Sequence, residues 1–404
     1  MVREIAIFLY LRFFSILFLT LNLLPLKRKV VFVVSFAENN ENIYKEMRQQ
    51  DLACETVFLT NKRDFSRFAK YKEASVLVLD IRHFPQFLKS IYHLATAKVV
   101  FVDNYYGFLA SARFKKGVKC IQLWHANGAI KKFGLKDQTT TNRSLQANKR
   151  FQKVYAKFDH VIVGSEAMGK IFQQAFGLEE NRILRTGIPR TDVFFNEDEQ
   201  KKAKNKLYET YPQLSSKKVI LYAPTYRDEQ TDTFEIRLNL ERLKNELEND
   251  YILLLRLHPA IKNSLVLHGD LNGFVLDVSD YPNLNELLFI TEILISDYSS
   301  IPFEFSILNK PMIFFPYDLT DYEKTRGLWE NYQEMVPGPT VFSTSEIIRT
   351  IKTNEFEYER LMAFNHKWNE FSTGNSSTNI VSFTKGLLGI EIHENVNVQS
   401  DLSH

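Results

Sequence analysis

The sequence predicts an α/β protein built from two doubly wound parallel sheets in tandem. Three observations carry this prediction. From residue 29 onward, short apolar runs alternate with longer stretches of helical character, the pattern of repeated βαβ units. A polar stretch at 196–216 interrupts the alternation, which then resumes. In the second series Ile293-Leu294-Ile295 leads into a serine-rich turn, a helix opened by Pro302, and a new apolar run at 312–315, one complete βαβ unit.

Size and composition agree with this reading. A chain of 404 residues is long for a single core, so two domains are expected. Hydrophobic content of 45% and charged content of 25% are those of an ordinary globular protein. A net charge of +3 is too mild for a nucleic-acid partner. Cys54 and Cys120 lie far apart and form no CxxC or zinc pattern, which points to a reducing compartment and no structural metal. The basic charge is uneven: from Arg113 to Lys157 there are twelve Lys and Arg against one acid, Asp137. Such a stretch suits an anionic surface or ligand, a lipid headgroup or a pyrophosphate, or is a solvated basic face.

In chain order, residues 5–26 are strongly apolar and long enough to cross a bilayer. Arg12 near the middle is costly for a simple span. Arg12, Ser15 and Asn22 fall on one helical stripe with Leu19 between them, which fits a helix lying in the membrane interface. Lys27-Arg28-Lys29 would hold its end at the cytoplasmic face, and no small-residue site marks a removable signal peptide. The expected division is therefore a membrane-associated helix at 1–28, a first domain at 29–195, a second at 196–390 and a polar tail at 391–404. Strands are expected at 30–35, 56–59, 75–79, 98–102, 119–123, 161–164 and 182–186, with helices at 43–50, 64–72, 84–94 and 106–112. The second sheet is expected from 218–222, 251–257, 273–277, 292–296 and 312–315, with closing helices at 356–371 and 378–388. Doubly wound sheets bind ligands at strand carboxyl ends, so two in tandem predict a ligand cleft.

The candidate chemistry sits at those strand ends. Leu123-Trp124-His125-Ala126-Asn127-Gly128 and Lys131-Lys132-Phe133-Gly134 follow one strand. A neutral imidazole at His125 can take a proton from an attacking hydroxyl, or it is a loop histidine bonded to backbone. Gly128 and Gly134 suggest close backbone approach to a ligand. Leu255-Arg256-Leu257-His258-Pro259 ends another strand, where His258 as an imidazolium, with Arg256 near it, would stabilise phosphate charge. Tyr222-Ala223-Pro224-Thr225-Tyr226-Arg227 adds a hydroxyl and a guanidinium suited to a bidentate phosphate grip. Ser296-Asp297-Tyr298-Ser299-Ser300 precedes a helix start, where Ser299 and Ser300 either bind an anion or simply cap the helix. Gly187-Ile188-Pro189-Arg190-Thr191-Asp192 shapes the domain junction, and Asp318, Tyr322, Arg326 and Gly327 follow the last strand, with Arg326 placed to reach a diphosphate. Asp103-Asn104-Tyr105-Tyr106 is a further strand-end turn, a candidate for the acceptor. There is no HExxH or DxD, so no catalytic metal or cofactor is implied, and no Gly-x-Ser-x-Gly elbow or GxGxxG appears.

Six motifs occur in order: Trp124-His125-x-x-Gly128 with Lys132-x-Gly134, Gly187-x-Pro189-Arg190-x-Asp192, Tyr222 to Arg227, Arg256-x-His258-Pro259, Ser296 to Ser300, and Asp318-x-x-x-Tyr322-x-x-x-Arg326-Gly327. This set resembles the CDP-glycerol glycerophosphotransferase family of wall teichoic acid synthesis, over about residues 100–330. The resemblance implies a GT-B architecture with the CDP-alcohol donor held mainly by the C-terminal domain. It implies transfer of glycerol phosphate from CDP-glycerol, or of ribitol phosphate from CDP-ribitol, with release of CMP. The acceptor would be an undecaprenyl-diphosphate-linked saccharide at the cytoplasmic membrane surface. By the same resemblance His125 is the base, His258 its phosphate-stabilising partner, and Thr225, Arg227, Arg256, Ser296, Asp297, Ser299, Ser300, Arg326 and Gly327 form the donor site. Ala126-Asn127 departs from the family, which often has Gly directly after the His. One catalytic unit with an N-terminal helix resembles the priming type more than the long polymerases. A GT-B glycosyltransferase that releases a nucleoside diphosphate, and a non-catalytic membrane-bound binding protein, are the competing classes. The number of units added and a homo-oligomeric state stay open.

Overall fold

The computed structural model describes residues 2–227, 235–258, 261 and 271–390. Pro259 and the expected tail at 391–404 lie outside the described residues. By contacts the chain divides into two compact units. The first comprises Met1–His125, Lys153–Ile162 and Asn375–His404, and the second Ala126–Gln152 and Val163–Gly374.

In the first unit, strands β1 (Lys29–Val34), β2 (Glu55–Thr60), β3 (Ser75–Val78), β4 (Val99–Val102), β5 (Lys119–Gln122) and β6 (His160–Ile162) lie in the order β3-β2-β1-β4-β5-β6. Their pairings are parallel. The order reverses between β1 and β4, which makes the carboxyl ends of these strands the topological switch point. Every residue of β1 is buried, and Phe32 stacks between Phe58 and Phe101 at 5.0 Å from each. Lys29 is tolerated at the start of β1 because its ammonium reaches Thr96 Oγ1 at 2.9 Å and Glu55 at 3.3 Å.

The helix Val2–Leu21 lies along the helix Phe84–Thr96. Phe14 and Phe18 are fully buried, with Phe14 against Phe87 and Phe108 at 6.4 and 5.2 Å. Ile5, Phe8, Leu9, Ile16 and Leu19 remain exposed. The helix is thus apolar on two sides, one packed on the protein and one facing outward. The expected polar stripe is not continuous: Arg12 stands among the exposed apolar residues, its guanidinium 5.1 Å from the centre of the Phe8 ring, and Asn22 is tied to Arg113 O at 2.7 Å. The chain returns to the first unit at its end, where helix Ser376–Leu388 packs on helix Ala37–Gln49 and buries Ile380, Val381 and Leu388.

The second unit holds the two-residue strand β7 (Ile183–Leu184) and a parallel sheet of β8 (Lys218–Ala223), β9 (Tyr251–Leu255), β10 (Val275–Asp277), β11 (Thr291–Ser296) and β12 (Met312–Phe314). Its order is β10-β9-β8-β11-β12, with the switch point between β8 and β11. Ile220, Leu253, Leu255, Ile293, Ile295 and Ile313 pack in one cluster on a face of this sheet. The anticipated strands coincide with these closely. The exception among the early helices is 106–112, which is a short 3-10 turn at Gly107–Ala110.

Candidate active site

In the first unit the ends of β1, β4 and β5 converge on His125. Beyond β5, Trp124 adopts φ +54°, a left-handed conformation that costs a bulky residue about 1–2 kcal/mol. Its neighbours hold it there: Trp124 N donates to Gln122 Oε1 at 2.8 Å, and the buried Asn39 amide donates to Trp124 O at 3.1 Å. This elbow presents the half-buried His125 ring between Phe36, at 4.2 Å and 17°, and Trp124, at 4.4 Å.

His125 Nδ1 lies 3.2 Å from the backbone carbonyl of Asp103. A carbonyl only accepts, so Nδ1 carries the proton and Nε2 of the neutral ring is the basic nitrogen. The backbone-bonded loop histidine and the general base are therefore one arrangement. Asp103 itself is fully buried, so it cannot meet an acceptor as the turn at 103–106 suggested. Its carboxylate accepts from Ser35 N at 2.9 Å, Phe36 N at 2.8 Å, Asn40 Nδ2 at 2.8 Å and Tyr106 OH at 2.7 Å. Burial outweighs these donors and pushes its carboxyl up to about 6. Asp103 thus fixes the histidine twice: its carbonyl holds the Nδ1 edge of the ring, and its carboxylate holds the backbone of the Phe36 wall.

In the second unit the turn after β8 is built inward. Arg227 grips Asp318 with Nε at 2.7 Å and Nη2 at 2.9 Å, and Nη2 also reaches Asp297 at 3.1 Å. The rings of Tyr298, Tyr317 and Tyr322 enclose the guanidinium at 5.0, 5.2 and 5.0 Å. The bidentate grip foreseen for a phosphate is spent on a carboxylate. Asp297 is buried and accepts from Thr225 N at 2.8 Å and Tyr298 N at 2.7 Å. Ser296 Oγ donates to Ala223 O at 3.1 Å, and Arg256 Nη1 donates to Val278 O at 2.8 Å and also to Tyr281 O. Thr225, Arg227, Arg256, Ser296 and Asp297 therefore brace the loops at the strand ends.

The groups that face outward differ. Ser299 and Ser300 are half-buried at the end of β11. Ser299 Oγ accepts from Ile301 N at 3.2 Å, whereas Ser300, the cap residue of helix Ile301–Phe305, makes no side-chain capping bond. His258 is solvent-accessible, with its ring 4.3 Å from Tyr226. Partial burial, then the charges of Lys131 and Arg256, hold its pKa below the ordinary imidazole value. Without an anion it is therefore neutral at neutral pH, not the imidazolium expected; a bound diphosphate would pull the pKa back up.

Lys131 is placed by its own loop. Lys132 N donates to Gly327 O and Trp329 N to Ile130 O, at 2.9 and 3.0 Å, so the loop at 130–132 pairs beside Arg326-Gly327. Gly327 has φ +67°, and a Cβ there would lie 2.6 Å from Gln138 Nε2. The glycines of the 128–134 loop make room for protein rather than ligand. A Cβ at Gly128 would sit 2.2 Å from the Phe303 ring, and one at Gly134 would sit 2.3 Å from Ala175 O. Sequence reasoning missed Phe36, Asn39 and Gln122; Gln122 ends β5, and Phe36 and Asn39 stand in the turn and first helical turn after β1, the only signal that marked them. Among the described residues, no cluster of His, Cys, Asp and Glu is arranged to hold a metal ion.

Two Rossmann-like parallel sheets, with a restrained imidazole at one set of strand ends and hydroxyls and cations at the other, define a GT-B enzyme. Over residues 16–384 the chain matches, and belongs to, the family described as CDP-Glycerol:Poly(glycerophosphate) glycerophosphotransferase; it is an enzyme of that class. A teichoic acid glycerol-phosphate primase of Bacillus subtilis (strain 168) is 36% identical over 387 residues, 96% of this chain and 99% of the relative. A teichoic acid poly(ribitol-phosphate) polymerase of Bacillus spizizenii is 33% identical, over 89% of this chain but 56% of the polymerase. The solved wall teichoic acid polymerase TagF superposes with a TM-score of 0.78 at 25% identity, covering 96% of this chain and 98% of that one.

Proposed function

We propose that the protein transfers glycerol phosphate from CDP-glycerol to a hydroxyl of a membrane lipid-linked saccharide, as the priming step of wall teichoic acid synthesis. The observation that carries this is the end-to-end match with a glycerol-phosphate primase, 96% of one chain on 99% of the other. In this reaction the acceptor oxygen attacks the phosphorus that bears glycerol. Its proton passes to His125 Nε2, the P–O–P bond breaks, and CMP leaves with the electron pair. The Nδ1–H···O=C bond supports that role, because it leaves the basic nitrogen on the other side of the ring. His258, Ser299, Ser300 and Arg326 with its Gly327 turn hold the diphosphate, while Thr225, Arg227, Arg256, Ser296 and Asp297 keep the loops in place. We assign the acceptor to the domain expected at 29–195 and the donor to the one expected at 196–390, although by contacts 126–152 and 163–195 go with the second unit and 375–390 with the first. The exposed side of the helix Val2–Leu21 rests in the interface of the cytoplasmic membrane leaflet, close to the lipid-borne acceptor.

The test is to incubate purified protein with CDP-glycerol, then with CDP-ribitol, and a synthetic lipid-linked disaccharide, and to read the lipid by mass spectrometry. One added glycerol phosphate with stoichiometric CMP is the expected result. A ladder of additions would make it a polymerase, ribitol transfer would change the donor, and release of CDP or UDP would overturn the phosphotransfer. His125→Ala should abolish transfer while the protein still binds CDP-glycerol.

A further inference from the structure

The basic run of the first unit is not spread evenly over its surface. Arg113, Lys115, Lys116, Lys119 and Lys157 line one cleft of about 420 Å³, with Asp159 the sole acid in its lining. That carboxylate lies 4.0 Å from Lys119. Among the described residues, Arg113, Lys116 and Lys157 have no ion-pair partner. Burial lowers the pKa of both Lys115 and Lys157, and for Lys157 it outweighs the pull of Asp159 beside it.

The position of this cleft is as telling as its charge. The turn that carries it is fastened to the end of the N-terminal helix. Asn22 Nδ2 donates to Arg113 O at 2.7 Å, Lys115 Nζ donates to Leu24 O, and Phe114 meets Phe18 edge to face at 5.6 Å. Beside this junction Leu19, Leu23 and Leu24 are exposed, Leu23 to 86%. Exposed leucines thus border a cationic hollow. An aqueous anion would explain the charge but not the apolar rim. A bilayer surface explains both, since acyl chains receive the leucines while phosphodiesters sit at the level of the ammonium groups.

We propose that the cleft formed by Arg113, Lys115, Lys116, Lys119 and Lys157 binds the anionic headgroups of bilayer phospholipids. It sets how the first unit seats on the membrane. This rests on the membrane reading of the helix Val2–Leu21 and adds a lipid preference that the helix alone does not supply. Each basic side chain at an anionic bilayer strengthens binding about fivefold, and the attraction fades with salt.

The experiment uses the full-length protein with vesicles of phosphatidylcholine alone and of phosphatidylcholine mixed with phosphatidylglycerol. Wild type should bind the mixed vesicles more tightly, and added salt should erase the difference. The triple variant Arg113→Gln, Lys116→Gln, Lys157→Gln should lose roughly a hundredfold in affinity for the mixed vesicles and keep its binding to phosphatidylcholine. Its thermal unfolding midpoint is measured alongside. If it misfolds, the exposed single variant Lys116→Gln carries the test with an expected loss of about fivefold. Equal binding of both vesicles by wild type, or undiminished binding by a folded variant, overturns the headgroup site. Failure of wild type to bind any vesicle would overturn the membrane reading itself.

Discussion

Asp103 offers a sharp test, because its carboxylate and its carbonyl serve the same histidine in different ways. Replacing Asp103 by Ala leaves the carbonyl but strips the acceptor from Ser35 N and Phe36 N, both bonded at 2.9 Å or less. Orphaning a buried N–H costs about 1–3 kcal/mol, so the two together cost about 2–6 kcal/mol. Asn is different. Its oxygen can keep the two N–H bonds and Asn40, while the Tyr106 hydroxyl turns to donate to Val33 O, 3.0 Å away. Asn also carries no charge. A carboxyl that titrates at about 6 when folded and near 3.9 when unfolded binds its proton more tightly in the native state. Its contribution is therefore complete below pH ~4 and is lost as pH rises through ~6, to the extent of about 3 kcal/mol. Asp103→Asn should thus gain on wild type by about that amount between pH 4 and 7. A two-unit chain need not unfold in one step, so the assay is hydrogen exchange at the peptide containing Ser35 and Phe36. Asp103→Ala should speed exchange there by roughly thirtyfold to twenty-thousandfold and cut kcat by about a hundredfold through the loosened His125, with Asn restoring most of the activity. Wild-type exchange in the alanine variant, or a pH-independent gap between Asp and Asn, would refute the reasoning.

Other substitutions probe the second unit and the chemistry. Gly128→Ala drives a methyl to 2.2 Å from the fully buried Phe303 ring and should destabilise by about 1–3 kcal/mol in urea unfolding, with Phe303→Leu recovering part of it. Arg227→Ala leaves Asp297 charged and buried without its partner, at about 3–5 kcal/mol; Arg227→Lys should recover little, because a single ammonium cannot reproduce the fork to Asp318 and the contact to Asp297. For the free enzyme, the pH profile of kcat/KM should show the His258 limb below the ordinary imidazole range, absent in His258→Gln. The same limb should move up in kcat, where the bound diphosphate favours the protonated ring.

Much of this was readable along the chain, and the reasons are physical. Strands such as Val30 to Val34 or Ile293 to Ile295 are buried on both faces and must be apolar throughout, so they stand out. Histidines and hydroxyls at strand ends stand out too, because the topology sends ligands there. The ion pairs of Arg227 are not legible for a different reason. Its carboxylate partners lie 70 and 91 residues away, and nothing local distinguishes a guanidinium aimed at a phosphate from one already satisfied. The glycines at 128 and 134 misled in the same way, since Phe303 and Ala175 are distant in sequence. Phe36 is an ordinary aromatic by pattern, and only the fold sets it 4.2 Å from an imidazole.

The return of helix Ser376–Leu388 to the first unit has a consequence for how the protein is made. The residues that cover helix Ala37–Gln49 follow the entire second unit in the chain, so the surface they bury stays bare while that unit is being synthesised. Premature termination anywhere before residue 376 would leave that surface open, and shortened chains should be drawn to chaperones or proteases even with the whole donor-side sheet intact.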